Sequence, residues 1–209
     1  MRRFGAGLVL GYHGCDEETA ERVVGGDAFK SSDQPYDWLG PGVYFWEADG
    51  QRALEWATQR KGGRALKDPT VVGAVIDLGN CLDLTTREGL DAIALYHGFF
   101  KEARDAAGET MPENKNLASD GPRDRLLRFL DRAVIAYMHE TITEQIAAER
   151  VDGLEPSIQP FDTVRGLFPE GEPAYPGAGF LKKTHTQIAV REPNCILGVF
   201  WPRSGAMTV

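Results

Sequence analysis

Short apolar runs, separated by polar and glycine-rich stretches, set the first reading of this chain. Leu8-Val9-Leu10 reads as a short buried strand. Asp16 to Val24 reads as a helix, with Asp16 at its N-cap and Gly25-Gly26 as its stop. Phe29 to Asp37 is polar and reads as a loop over a pocket. Val43 to Glu47 is an aromatic strand. Asp49 to Arg60 carries Ala53, Leu54, Trp56 and Ala57 at helical spacing and stops at Gly62-Gly63. Thr70 to Leu78 is the strongest strand pattern in the chain, with a short extension at Leu82-Asp83-Leu84.

The middle of the chain changes period. Thr86 to Ala107 places Leu90, Ile93, Ala94 and Leu95 on one helical face. Gly108 to Gly121 is a polar loop. Pro122 then opens a second helical pattern over Arg123 to Arg150, with Leu126, Leu127, Leu130, Val134, Ile135 and Met138 repeating at 3–4, and a break expected near Thr141-Ile142-Thr143. Leu154 to Phe180 is rich in proline and glycine without clear periodicity, and irregular stretches of that length are usually functional. Gln187 to Arg191 and Cys195 to Trp201 read as two strands joined as a hairpin through Glu192-Pro193-Asn194. Strands, then helices, then strands again make an α+β pattern. Regular βαβ alternation is absent. The expectation is one domain over residues 1–209, with a helical insertion at about 86–150.

Composition narrows the classes. The net charge is −8 and the pI about 5.1, which argues against a surface devoted to nucleic acid; a local basic groove stays open. The Arg123–Arg132 run is interleaved with Asp124 and Asp131 and reads as a solvated helix face. No apolar run approaches the ~20 residues of a membrane span. Met1-Arg2-Arg3 leads straight into the first strand pattern, so a core strand is expected there and no signal peptide. Cys15, Cys81 and Cys195 are odd in number and widely spaced, which fits a reduced, cytoplasmic setting and no zinc site. His13, His97, His139 and His185 form no H-x-x-x-H pair, and no metal is expected.

Two stretches carry candidate chemistry. Tyr12-His13-Gly14-Cys15 ends the first strand, and Gly40-Pro41-Gly42-Val43-Tyr44-Phe45 follows about thirty residues on. A histidine can hydrogen-bond through either ring nitrogen, and a glycine lets a ligand approach the backbone. Taken singly, each has a plain structural reading: a satisfied histidine, a turn, a core aromatic. Their order and spacing point to a site for a planar ligand with hydroxyls.

That order resembles the catalytic domain of the ADP-ribosyltransferases of the diphtheria-toxin and poly(ADP-ribose) polymerase type. There a strand ends in His-Gly-Thr or His-Gly-Ser, and Gly-x-Gly-[Ile/Val]-Tyr-Phe follows. The resemblance is specific over residues 7–57. It is weaker at Thr186-Gln187-Ile188-Ala189-Val190-Arg191, where the family has Glu-x-Ile-Val, and residues 80–180 do not align. It implies an α+β fold of split, curved antiparallel β-sheets with flanking helices, clasping NAD as co-substrate. It implies that His13 bonds a ribose hydroxyl, that Gly14 holds the nicotinamide carboxamide through its backbone, and that Tyr44 stacks on the nicotinamide ring. Tyr12, Tyr36, Gly42 and Trp56 join them as NAD-binding candidates.

The departure from the family pattern is Gln187, where the catalytic glutamate falls. Glutamine keeps a hydrogen-bonding amide and loses the charge, so it cannot act as a general base. The charge can come instead from Glu192, Asp162, Glu170 or Glu172, or the chemistry can be a single transfer that needs little deprotonation. By the family's loop placement, Asp162 and Arg165 are substrate-contact candidates; an Asp–Arg pair pinning a long loop is the equal alternative. His185, directly before Thr186, falls at the pocket mouth or is incidental. The resemblance implies mono-ADP-ribosylation of a macromolecular acceptor, protein or nucleic acid, with release of nicotinamide. The alternatives are NAD hydrolysis and a catalytically degenerate NAD or ADP-ribose binder. Family habit adds a toxin or defence role and a neutralising antitoxin.

Overall fold

A computed structural model of the chain describes residues 7–59, 66–116 and 127–203. The apolar run at Leu8 opens β1 (Leu8–Asp16), which runs on through His13 and Gly14 directly into α1 (Glu17–Val24). Asp16 occupies the N-cap position, but its carboxylate accepts the backbone N–H of Lys67 and leaves the helix uncapped by side chain. Then come β2 (Val43–Glu47), α2 (Gly50–Gln59), β3 (Pro69–Asp77) and β4 (Cys81–Asp83). The helical middle is α3 (Arg87–Ala107) and α4 (Phe129–Val151), followed by β5 (Thr163–Phe168), β6 (His185–Val190) and β7 (Ile196–Phe200). The α+β class is as the sequence implies. The Gly62-Gly63 stop and the helix start at Pro122 and Arg123 lie outside the described residues.

The strands form one seven-stranded sheet in the order β4-β5-β6-β2-β1-β3-β7. Every pair is antiparallel except β4 with β5. The sheet is continuous, yet its middle is thin. β1 and β3 pair along nine residues, whereas β1 and β2 pair only at Gly11↔Glu47 and Tyr12↔Trp46. Beyond Tyr12 the two strands part, and a cavity occupies the opening.

Three expectations are corrected here. The segment over residues 154–180 contains a strand: in β5, Thr163, Val164, Gly166 and Phe168 are buried while Leu167 is exposed, and the strand bonds β6 along its whole length. Gln187 to Trp201 is no hairpin, because β6 lies between β5 and β2 while β7 lies at the far edge on β3. The reason is local. The backbone N–H groups of Arg191 and Glu192 donate to the Asp162 carbonyl at 2.9 and 3.0 Å, and Pro193–Cys195 forms a 3-10 turn capped by Glu192, so the chain leaves β6 instead of folding back on it. Helix α4 also runs unbroken through Thr141–Thr143, where the Thr143 hydroxyl bonds the His139 carbonyl one turn back.

Two apolar layers hold the sheet. On one face Leu82, Val164, Phe168 and Ala189 pack with Trp38, Leu39 and the Ile135, Met138 and Ile142 side of α4. On the other face Val43, Phe45, Ala74, Ile76, Ile188 and Val190 form a cluster that runs beneath β2, β3 and β6 together. Each large side chain buried this way contributes roughly 1.5–3 kcal/mol. Helix α2 lies on β1 so closely that a Cβ on Gly14 would stand 2.3 Å from the Ala53 carbonyl oxygen. Only glycine fits at that crossing.

Candidate functional site

The opening between β1 and β2 leads into a cavity of about 550 Å³. Its floor is the end of β1, from His13 to Asp16. One wall is the loop between α1 and β2, including Ser32, Tyr36, Asp37 and Trp38. The other is formed by Arg52 and Trp56 of α2 and by Phe168, Glu170, His185 and Gln187 from β5, β6 and the turn after β5. The polar loop, the first strand end, the aromatic strand and the third motif thus converge on one space.

His13 takes the place of a ladder bond. Its Nδ1 lies 2.8 Å from the Tyr44 carbonyl. A carbonyl can only accept, so Nδ1 carries the proton and the neutral ring presents Nε2 as an acceptor. Burial between Phe29 and Phe45 lowers the His13 pKa, against the raising effect of the Tyr44 bond, and keeps the ring neutral. The bond has a consequence for Gly14. The Ala48 N–H donates to the Leu10 carbonyl, so the even-numbered residues of β1 turn their N–H and C=O toward β2. Continued, that ladder would join Gly14 to the Tyr44 carbonyl, which His13 already occupies. The pairing of β1 with β2 ends at Tyr12↔Trp46, so the backbone edge of Gly14 that would have continued it faces the opening.

Tyr44 is held as a platform. Its hydroxyl donates to the Gly40 carbonyl at 2.8 Å and accepts the Leu39 N–H at 2.9 Å. Burial raises its pKa well above the ordinary value, so it is no proton carrier near neutrality. Tyr44 lines the cavity. Gly40 adopts φ 80, which lets the loop turn tightly enough for these two bonds. Trp56 also lines the cavity and packs, tilted, on Trp46 at 5.5 Å.

Gln187 is buried, and its carboxamide oxygen accepts the Trp38 indole N–H at 2.6 Å. The indole is only a donor, so this bond fixes the amide orientation and leaves the NH₂ as the free end. The site is thus donor-only at the position where a carboxylate would have been acceptor-only.

The predicted site residues separate into two groups. His13, Gly14, Tyr36, Gly42, Tyr44, Trp56 and Gln187 line the same cavity. Tyr12 does not: its ring packs over Gly50 of α2 and joins the cluster of Trp46, Ala53 and Val71. Asp162 and Arg165 are not brought there either. Asp162 Oδ2 accepts the Asn80 N–H at 2.7 Å, and its carbonyl holds Arg191 and Glu192. Arg165 bonds both oxygens of Glu47, at 2.6 and 3.0 Å, and Asp83 at 3.1 Å, which raises its already high pKa further. Each ties neighbouring segments together through partners of its own, so the Asp–Arg pair of the loop-pinning alternative is replaced by Arg165 on Glu47 and Asp83 and by Asp162 on Asn80.

Sequence reasoning missed Trp38, Arg52 and Asp37. Asp37 is buried and accepts the Ser32 hydroxyl and the Gln34 N–H, and burial raises its pKa. Trp38 sits in Tyr36-Asp37-Trp38-Leu39, where a polar run ends in two buried apolar residues; that switch was the available signal. Arg52 is one helical turn from Trp56, and the pair marks the cavity face of α2. Among the described residues no group of His, Cys, Asp and Glu could hold a metal ion, and no helix is long and apolar enough to cross a membrane. No protein-family profile, curated protein or solved structure matches this chain.

Proposed function

We propose that this chain is an ADP-ribosyltransferase that cleaves NAD, releases nicotinamide and attaches one ADP-ribose to a macromolecular acceptor. The observation that carries the reading is the interrupted β1/β2 ladder. His13 bonds the Tyr44 carbonyl where the pairing of the two strands has ended, and the backbone edge of Gly14 faces the cavity beside Tyr44. A nicotinamide carboxamide has the complementary acceptor and donor, and its flat ring suits an aromatic wall. A ribose hydroxyl suits the acceptor nitrogen of a neutral His13.

In this reading the chain's own residues bind and orient. Gly14 sets the carboxamide, Tyr44 the ring plane, and His13 the ribose. The strands form one continuous sheet, and its thin β1/β2 seam is the feature that supports the family's split-sheet arrangement in this reading. The free thiols of Cys15, Cys81 and Cys195 fit a reducing, cytoplasmic setting. An intracellular toxin or defence role, with a neutralising antitoxin, belongs to the same reading.

The test is incubation of the protein with NAD labelled in the adenylate moiety and a whole-cell extract, with His13→Ala as control. Label that protease removes marks a protein acceptor, and label that nuclease removes marks a nucleic acid. Nicotinamide release without macromolecular label makes the protein an NAD hydrolase. Absence of NAD cleavage in every extract overturns the transferase reading. The Trp38-bound Gln187 favours one second reading, a binding module, which NAD binding without cleavage would support.

A further inference from the structure

Glycosidic cleavage of NAD builds positive charge on the ribose C1′, and an anion near that carbon stabilises it. Gln187 supplies none, since its oxygen is held by Trp38 and its free end donates. Three carboxylates line the cavity: Asp16, Asp37 and Glu170. Asp16 lies at the far end of β1 and bonds the backbone of Lys67. Asp37 is folded into its own loop by Ser32 and Gln34.

Glu170 differs from both. It is 9% exposed and follows β5 by two residues. The pairing of β5 with β6 sets Phe168 opposite His185 and Gly166 opposite Gln187. His185 and Gln187 alternate on one side of β6, and Glu170 approaches His185 to 4.0 Å. The Lys183 N–H donates to the Glu170 carbonyl at 3.1 Å, so Glu170 continues the β5 side past the strand end, opposite Lys183, and reaches the same cavity beyond His185. Of the other acidic residues near this strand, Glu172 and Glu192 are exposed and Asp162 is bound to Asn80; none lines the cavity.

Its bonding is one-sided. Arg52 donates to Oε2 at 2.6 Å, while Oε1 makes no hydrogen bond among the described residues. His185 is a neighbour and no ion-pair partner: its Nδ1–H is given to the Lys183 carbonyl, and burial lowers its pKa. A two-pronged Arg pair would engage both carboxylate oxygens; this one fixes the group and leaves an oxygen over.

We propose that Glu170 is the catalytic carboxylate of this cavity, in the electrostatic role that Gln187 cannot fill, with Arg52 as its positioning residue. The proposal rests on the transferase reading above. The C1′–N bond breaks and its electron pair goes to the ring nitrogen, so nicotinamide leaves neutral. The cationic C1′ faces Oε1 of Glu170. The acceptor X–H bonds to C1′ and its proton passes to Glu170 and on to solvent.

The experiment measures nicotinamide release and NAD binding in the full chain for wild type, Glu170→Gln and Glu170→Asp. Binding is read by quenching of tryptophan fluorescence, since Trp38, Trp46 and Trp56 line the cavity. Glu170→Gln is expected to lower kcat about 100-fold or more, with KM and NAD binding within about threefold of wild type. A purely structural Arg52–Glu170 strap would lower the melting temperature and leave kcat at saturation intact. Glu170→Gln turning over at the wild-type rate overturns the proposal while the transferase reading stands. If Glu170→Gln does not fold, Glu170→Asp decides: kcat down about tenfold with binding retained supports the role, and unchanged kcat overturns it. Wild-type protein that neither binds nor cleaves NAD removes both readings together.

Discussion

The indole N–H of Trp38 donates to the Gln187 carboxamide oxygen at 2.6 Å across a sequence separation of 149 residues. The bond ties the cavity loop to the central strand β6, and both partners are buried. Gln187→Ala would leave the Trp38 donor without its partner at a cost of about 1–3 kcal/mol. Gln187→Glu keeps an acceptor there and is expected to remain folded. Thermal melting followed by near-UV circular dichroism checks both, with a drop of several degrees expected for the alanine variant and a smaller one for the glutamate. Equal melting of Gln187→Ala and wild type would show that the bond contributes nothing.

His13 and Tyr44 should separate by readout. His13→Ala removes the Nδ1–H that occupies the Tyr44 carbonyl and the acceptor offered by Nε2. On the transferase reading, nicotinamide release is expected to fall at least about 100-fold, because the ribose would lose both contact and position. Tyr44→Phe keeps the ring and removes bonds to Gly40 and Leu39. It should lower stability by about 1–2 kcal/mol and turnover by less than about tenfold. Full loss of turnover in Tyr44→Phe would assign its hydroxyl a chemical role instead.

Arg165 bridges Glu47 of β2 and Asp83 of β4 with a side chain about one quarter exposed. Arg165→Met leaves the Glu47 and Asp83 carboxylates without their shared cation and should lower stability by about 2 kcal/mol, below the range for fully buried pairs. KM for NAD should stay at the wild-type value. A raised KM with unchanged melting would return Arg165 to the substrate site.

Stability should depend on pH through buried histidines. Burial lowers the pKa of His139 to about 3, with a further lowering from Arg191, and lowers those of His13 and His185. The unfolded chain takes up these protons near 6.5, so below that value the unfolded state binds more protons than the folded one. The contribution is complete above about 6.5 and is lost as pH falls toward 3. At pH 5 His139 alone accounts for about 2 kcal/mol. Asp37, raised by burial, acts with the opposite sign over the carboxylate range. Melting temperature should fall between pH 7.5 and 5, and His139→Phe should flatten the slope. A slope that His139→Phe leaves unchanged would place the titration elsewhere.

Much of the fold was legible where one period ran undisturbed. Thr70 to Leu78 is a nearly continuous apolar run and Thr86 to Ala107 repeats at helical spacing, and β3 and α3 fall there. The strand β5 was hidden because prolines and glycines on both sides swamp a six-residue alternation. The expected hairpin failed for a different reason. Arg191 and Glu192 look like one arm of a tight turn, and only their bonds to the distant Asp162 carbonyl show that the chain continues elsewhere. At the site, His13, Gly14 and Tyr44 were readable from order and spacing. Trp38 and Arg52 were not, because each reaches the cavity through a partner more than one hundred residues away, Gln187 and Glu170. Asp162 and Arg165 lie near one another in sequence, but their partners Asn80, Glu47 and Asp83 are about eighty residues or more away, and no local pattern announces them.

The seam between β1 and β2 determines how a guest is received. The strands part at the surface, yet the cluster of Phe45, Ala74, Ile76 and Ile188 runs unbroken beneath them. The opening is therefore a fixed slot. On the proposed reading, a dinucleotide would meet strand walls already set by the core, with little strand backbone freedom left to lose on binding. Discrimination then falls to outline: molecules of the right thickness and hydrogen-bond edge slide in, and those that would need the slot to widen are refused by the packing under it.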